Sequence, residues 1–339
     1  MKKEYKFSAE ELESQIKTLS QKGITELYVC DNLISSDKKR ILTLLTKISE
    51  YAPEVFVSFL TKANIIDKEL AAVATNVFCS FNIPFECSQK NGHILFDKKV
   101  YASKARILND FGVVFGFELL YAVDLGDNLK AFLERLDFAV AQYPNHLDFP
   151  QTQKTFSENC NNESSCELEP KTTGIFSAKE IRYARDVSFA CKTFYTCGRA
   201  VPWFLSVLKP LRIYPSAFFA DFAEWQRCNN CDYKSGFEPE NETHKSLEKM
   251  QLLFLEEKYE EKGCHEFFTA VRDFVVLNGA MSRVVAEGEE AVVETSYNPD
   301  DVFSPEACDL QSFCENVCME NCRVRIFATD DGPDYEILD

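Results

Sequence analysis

The densest group of residues able to do chemistry is CDLQSFCENVCMENC, residues 308–322. There Cys314, Cys318 and Cys322 follow one another at intervals of four, and Cys308 lies six residues earlier. Thiolates hold zinc and iron–sulfur clusters. On one straight helix, however, successive sulfurs would rise by about 6 Å, and the outer pair would stand roughly 12 Å apart. Zinc–sulfur bonds of about 2.3 Å require ligands far closer together. A metal or auxiliary cluster at Cys308, Cys314, Cys318 and Cys322 therefore needs a loop, and a cysteine stripe on a buried helix face is the other reading. Cys228 and Cys231 form a Cys-x2-Cys pair, to which Cys264 and His265 could add two zinc ligands. Without them, the pair reads as two surface thiols. His93 and His146 stand alone in the sequence and read as satisfied structural histidines, with Pro144-Asn145-His146 forming a turn into a strand. No P-loop, dinucleotide fingerprint or nucleophile triad motif is present.

Asp31, Asn32, Glu86 and Glu118 are polar residues at or near the carboxyl ends of expected strands or on those strands, and the strands must position them. The first half of the chain alternates. Ser8-Ala-Glu-Glu11 is a capping box that opens a helix to about residue 22, where Gly23 stops it. Strands are expected at 24–30, 55–59, 77–85, 113–122 and from 146. Helices are expected at 37–51, 67–75, 97–112 and 127–143, from apolar residues three and four apart. Such alternation implies parallel strands joined by right-handed crossovers. The segment YAVDLGDNLKAF (121–132) lies where the fourth interval ends and a helix opens. Asp127 is expected to cap that helix, and Gly126 to permit the tight turn. Turns of this kind, at the carboxyl ends of strands, are where α/β proteins take ligands.

Residues 154–174 are polar and read as a linker or surface loop. Beyond a second capping box, Ser177-Ala-Lys-Glu180, the pattern becomes helical at 178–197, 214–227, 243–262 and 264–278. Strand-like runs return at 291–297 and 323–329, and the acidic tail DDGPDYEILD is expected to be loose. The expected fold is α/β. It divides into a partial parallel (β/α) barrel over residues 1–153, a polar linker at 154–176, a mostly helical domain at 177–330 and an acidic tail at 331–339.

The chain has 339 residues and a net charge of −17, from 54 acidic against 37 basic side chains. Repulsion of that size disfavours nucleic acid and anionic membranes. The amino terminus has no apolar segment behind its lysines, so it does not read as a signal peptide, and the run at 111–123 is too short to span a bilayer. A cytoplasmic protein is expected, with its 14 cysteines mostly reduced.

FELLYAVDLGDNLKAFLERLDFAV resembles the fifth-strand segment of radical S-adenosylmethionine enzymes. The matching residues are Leu119, Leu120, Tyr121, Gly126, Asp127 and Leu136-Asp137-Phe138. FSAEELESQIKTLSQKGITELYVCDN resembles the stretch after the family's cluster loop, and IDKELAAVA and SFNIPFE resemble its third-helix and fourth-strand segments. TFYTCGRAVPWFLSVLKP and AFFADFAEW are similar to the carboxyl-terminal region of the cobalamin-binding members. The resemblance covers residues 7–150 and implies a TIM-like barrel with an adenosyl cofactor held by polar residues at strand ends. By position these are Asp31, Glu86 and Glu118. The sequence departs from the family in several places. Only MKKEYK precedes the matching region, no Cys-x3-Cys-x2-Cys occurs, the family's Gly is Ala122, its Pro is Asp124, and Leu125 is an insertion.

The resemblance therefore implies a homologue that has lost its cluster loop and binds a ligand or partner without cleaving S-adenosylmethionine. A working enzyme whose cysteine-bearing segment lies outside this chain is the alternative. A zinc-stabilised interaction protein is a third. The missing first strand would leave an open barrel edge. That edge is expected to be covered by a helix, by RVRIFAT (323–329), or by a partner protein or second chain.

Overall fold

The five apolar runs of the first half pair into one parallel sheet. In the computed structural model, which describes residues 8–90, 93–122, 126–150, 170–330 and 332–338, the chain separates into two compact units, 1–181 and 182–339. The first unit alternates strand and helix: α1 (Ala9–Ile16), β1 (Glu26–Val29), α2 (Lys38–Tyr51), β2 (Phe56–Leu60), α3 (Lys68–Ala74) and β3 (Cys79–Pro84). It continues with β4 (Ser88–Lys90), β5 (His93–Leu95), α4 (Lys98–Asp110), β6 (Val114–Glu118), α5 (Leu129–Val140) and β7 (His146–Asp148). The sheet order is β1-β2-β3-β6-β7, all parallel, while β4 and β5 form a separate antiparallel hairpin. Among the described residues the sheet is open, with β1 and β7 at its edges, so the fold is α/β without a closed barrel.

Local chemistry explains the helix starts. Asp37, Asp67, Asp97 and Asn128 each sit at an N-cap and accept from backbone amides of the first turn. The capping box of Ser8 and Glu11 is formed. One face of the sheet is apolar: Val57, Phe59, Phe81, Ile83, Phe115, Phe117 and Leu147 are fully buried, as are Ile41, Leu45, Leu70, Leu108, Phe132 and Leu136 on the helices. The other face carries Tyr28, Ser58, Ser80, Asn82, Gly116, Glu118, His146 and Asp148. Cα register and the period-2 alternation of strands put these eight on one side.

The second unit is mostly helical. After α6 (Ala178–Cys191) comes a π-helical stretch (Lys192–Cys197). Then follow α7 (Phe204–Leu211), α8 (Pro215–Asn229), α9 (His244–Glu261) and α10 (Phe268–Glu287). Its aromatic core joins Phe194, Phe204, Phe218, Phe222 and Phe254 through edge-on contacts. Beyond it lie β8 (Ala291–Thr295), α11 (Pro299–Val302), α12 (Leu310–Asn316), β9 (Cys322–Thr329) and β10 (Gly332–Leu338), with the three strands in one antiparallel sheet.

Two expectations are corrected here. The acidic tail is not loose, because residues 332–338 pair with β9 along their whole length. RVRIFAT does not cover the β1 edge, because it is held between β8 and β10. Among the described residues, no helix is long and apolar enough to cross a membrane.

Candidate ligand site

The polar face of the parallel sheet is organised around His146, at the start of β7. Its imidazole lies over β6, against Gly116. A Cβ at residue 116 would come within 2.1 Å of His146 Nδ1, so only glycine leaves room for the ring. His146 Nδ1 lies 2.6 Å from Asp148 Oδ2, and Nε2 lies 3.0 Å from Ser80 Oγ. This is the connectivity of a nucleophile relay. Ser80, however, is only 2% exposed. A hydroxyl shut off to that degree does not attack a substrate, so Ser80 and Asp148 fix the orientation of the ring instead.

Glu118 ends β6 and stands beside Asp148 in register. Burial pushes its carboxyl up to about 7, the neighbouring Asp148 carboxylate adds to the rise, and His146 opposes it. Asn82, 4% exposed, donates from Nδ2 to the Tyr28 hydroxyl at 3.1 Å, while its Oδ1 is buried without a hydrogen-bond partner. An unpaired buried carbonyl costs about 1–3 kcal/mol. Among the described residues, no lysine or arginine pairs with Glu118 or Asp148. Among the described residues, Glu118 and Asn82 Oδ1 are thus acceptors near the carboxyl ends of parallel strands with no donor, while Asp148 faces His146 Nδ1.

The other acids expected from the sequence are at strand ends but are already engaged. Asp31 follows β1 and accepts from the amides of Leu33 at 2.7 Å and Ile34 at 3.3 Å, fixing the turn that leads into a short 3-10 helix. Glu86 follows β3 and pairs with Lys62 at 2.6 Å. Of Asp31, Glu86 and Glu118, only Glu118 joins the polar face. Sequence reading missed Ser80, Asn82 and the role of His146. Two signals were available: a lone glycine inside the apolar run VVFGFE, and His146 and Asp148 two residues apart on one strand face.

The turn after β6 is built differently from the expectation. Asn128, not Asp127, caps α5, accepting from the Ala131 amide at 3.0 Å. Asp127 is buried and forms a two-pronged ion pair with Arg135, its Oδ1 3.0 Å from Nη1 and its Oδ2 2.9 Å from Nη2. It also accepts from the amides of Ala122 and Asn128. Arg135 Nη2 further donates to the Leu120 carbonyl at 3.0 Å. Asp127 therefore ties the end of the β6 segment to the second turn of α5. Asp124 and Leu125 lie outside the described residues. Left-handed backbone falls at Ala122, with φ 55°, the position where the resembling family carries glycine. A Cβ in that conformation costs about 1–2 kcal/mol. Ala122→Gly should then raise stability by about 0.5–1 kcal/mol, net of the greater unfolded-state freedom of glycine. Urea denaturation checks this, and a loss of stability would show that Ala122 packing outweighs the strain.

The carboxyl-terminal cysteines are spread over separate elements. Cys308 ends a 3-10 turn, Cys314 lies on α12 with its sulfur 4.0 Å from the Tyr297 hydroxyl, Cys318 is exposed in the following loop, and Cys322 opens β9. The loop that a site requires exists. Even so, among the described residues no three His, Cys, Asp or Glu side chains gather as a metal-holding group. Cys228 and Cys231 are exposed, Cys264 is buried, and His265 stacks on Phe268. Two cavities of the second unit, of about 370 and 490 Å³, are lined around Arg272 and Cys322 and around Arg199 and His244. Two of the lining cations have acidic partners: Arg272 pairs with Asp273, and Arg199 with Glu287. Burial between Arg199 and Arg283 holds His244 down at about 4, hence neutral. These cavities make weaker candidates than the unpaired acceptors of the first unit.

Fold and site together define an α/β protein with an acceptor-rich polar face at the carboxyl ends of its parallel strands. No protein-family model and no curated protein matches the chain. Among solved structures it is distantly similar to the radical S-adenosylmethionine methyltransferase TsrM from Kitasatospora setae, a structure with cobalamin and a [4Fe-4S] cluster bound. The match has 12% identity and a TM-score of 0.34, and covers 42% of this chain. It spans 30% of the length of that methyltransferase chain.

Proposed function

We propose that the chain is a homologue of the radical S-adenosylmethionine superfamily that acts as a binding protein and does not cleave S-adenosylmethionine on its own. The observation that carries this reading is the convergence of Glu118, Asp148, His146 and Asn82 on one face, where α/β folds take ligands. An iron–sulfur cluster does not fit the residues described. The 339 residues contain no Cys-x3-Cys-x2-Cys, and the described thiols do not gather in threes. Asp31 and Glu86, the other positions implied for an adenosyl cofactor, are occupied by a turn and by Lys62. That leaves Glu118 as the acid open to a ligand.

The reading is tested by anaerobic reconstitution with iron, sulfide and a strong reductant. No 5′-deoxyadenosine is expected, and its formation would overturn the proposal. Chemical-shift mapping with S-adenosylmethionine should confine any perturbation to the Glu118–Asp148 region. Perturbation confined to the second unit would place the binding site elsewhere. A partner strand adding to β1, which is paired only with β2 among the described residues, is a second route by which another chain would complete the sheet.

A further inference from the structure

We infer that the cavity between the end of β8 and the start of β9 takes a phosphate monoester, held by the guanidinium groups of Arg272 and Arg323, with Asn321 and the Ser296 hydroxyl as further donors. This site belongs to the second unit and is independent of the binding reading given above.

The cavity, of about 370 Å³, has Arg272, Glu294, Ser296, Asn321, Cys322 and Arg323 on its lining. Small-molecule sites fall in the range of about 300–1,000 Å³. Strand pairing brings its walls together, since Thr295 is the Cα partner of Cys322 and Glu294 that of Arg323. The Glu320 amide donates to the Ser296 carbonyl at 2.9 Å, which ties the loop before β9 to the end of β8. Arg272 reaches the same corner from α10. Its Nη1 lies 3.0 Å from Asp273 Oδ1 and 3.2 Å from the Glu294 carbonyl oxygen. Asp273 is fully buried, and its Oδ2 accepts from the amides of Ser296 at 2.6 Å and Tyr297 at 3.0 Å. One carboxylate thus fixes both the turn after β8 and the arginine beside it, and both of its oxygens are taken.

What remains is donor capacity. Among the described residues Arg272 uses only Nη1, so its Nε and Nη2 hydrogens stay available. Arg323 has no ion pair and no side-chain hydrogen bond among them. Arg325, two residues along on the same strand face, shows the contrast: Nη2 pairs with Glu290 and Nη1 with Glu336, each at 3.0 Å. Register accounts for the difference, because the β10 partner of Arg325 is Glu336 whereas that of Arg323 is Leu338. In a chain of net charge −17, two arginines with unused donors on one cavity are an exception. They outnumber Glu294, the one carboxylate on the lining. Burial pushes the Cys322 thiol up, so it adds no charge. Two guanidinium forks, an amide and a hydroxyl offer more donors than the two oxygens of a carboxylate accommodate. A phosphate monoester presents three acceptor oxygens and a charge of about −1.5 to −2 near pH 7, which matches both forks.

The test is an NMR amide-shift titration of the full chain with phenyl phosphate, and separately with benzoate, at constant ionic strength. Arg323→Gln, Glu294→Gln and Arg325→Gln serve as comparisons, and all three positions are exposed, so folding is not at risk. The expected result is saturable shifts at the Ser296 and Asn321 amides, with phenyl phosphate bound more tightly than benzoate. Affinity should fall roughly tenfold or more in Arg323→Gln. It should rise in Glu294→Gln, which removes the competing carboxylate, and stay unchanged in Arg325→Gln, whose charge lies off the cavity lining. Absence of saturable binding, or equal affinity in wild type and Arg323→Gln, would overturn the assignment. An equal loss in Arg325→Gln would do so as well, because it would reduce the effect to surface charge. Benzoate bound as tightly as phenyl phosphate would overturn the choice of phosphate. The non-cleaving reading of the chain fails only on 5′-deoxyadenosine formation, which none of these titrations measures.

Discussion

Replacing Asp127 by alanine will destabilise the protein by about 3–5 kcal/mol, several times what loss of a helix cap would cost. The reason is Arg135. Both partners are buried, with side-chain exposures of 3% each, and the guanidinium is held by both carboxylate oxygens and by the Leu120 carbonyl. Removing Asp127 leaves a cation in the interior with one backbone acceptor, and the amide of Ala122 loses its acceptor too. Asn128→Ala, which removes the true cap, should cost only about 1 kcal/mol. Arg135→Met together with Asp127→Ala should recover much of the loss, because a buried pair replaced by apolar groups is often near neutral. Urea denaturation of the four proteins checks the order. If Asp127→Ala and Asn128→Ala cost the same, the buried pair is not what holds the turn.

Glu118→Gln will have the opposite sign. Its folded-state carboxyl titrates at about 7 against an ordinary 4.5, so the folded protein binds more protons than the unfolded chain across that interval. Below pH 4.5 the acid is neutral in both states and contributes no penalty. As pH rises through 7 the folded state loses that advantage, and the ionised, half-buried carboxylate lowers stability. The full shift corresponds to a ceiling of about 3 kcal/mol, and solvent at the site brings the expected gain from Glu118→Gln above neutrality to about 2 kcal/mol. Denaturation at about pH 5 should show little difference between the two proteins.

The sequence made much of this architecture legible because local chemistry and global pattern agree in the first half. Each helix there opens on an Asp, Asn or Ser, and β1, β2, β3 and β6 of the parallel sheet are runs of four to six residues, with β7 shorter at three. All five strands of the parallel sheet fall inside the expected intervals or within one residue of them. Glu118 is visible in the sequence as an acid within such a run, and the structure ends β6 on it. The rest of the site was not, since Ser80 and His146 are 66 residues apart and meet only through the register of β3, β6 and β7. A histidine between Asn145 and Leu147 gives no sign of that. Gly116, an unexplained glycine in an apolar strand, and the two-residue spacing of His146 and Asp148 are the pointers the sequence carries.

Other misses have identifiable physical causes. Asp127 and Asn128 are both good caps, and which one caps depends on Arg135, two turns further along. The β4–β5 hairpin flanks Asn91-Gly92, a strong hairpin pair, in a stretch too short to show a strand period. The acidic tail hides a strand because Tyr335 and Ile337 alternate with charged residues, and the acidity of the segment masks that alternation.

The most direct measurement of the central claim is a carbon-13 NMR titration of the Glu118 carboxyl, assigned by its loss in Glu118→Gln and recorded with and without S-adenosylmethionine. The expected result is a midpoint near 7 in the free protein that shifts when S-adenosylmethionine is added. A midpoint at an ordinary 4.5, unchanged by S-adenosylmethionine, would contradict the view that this polar face is a ligand seat.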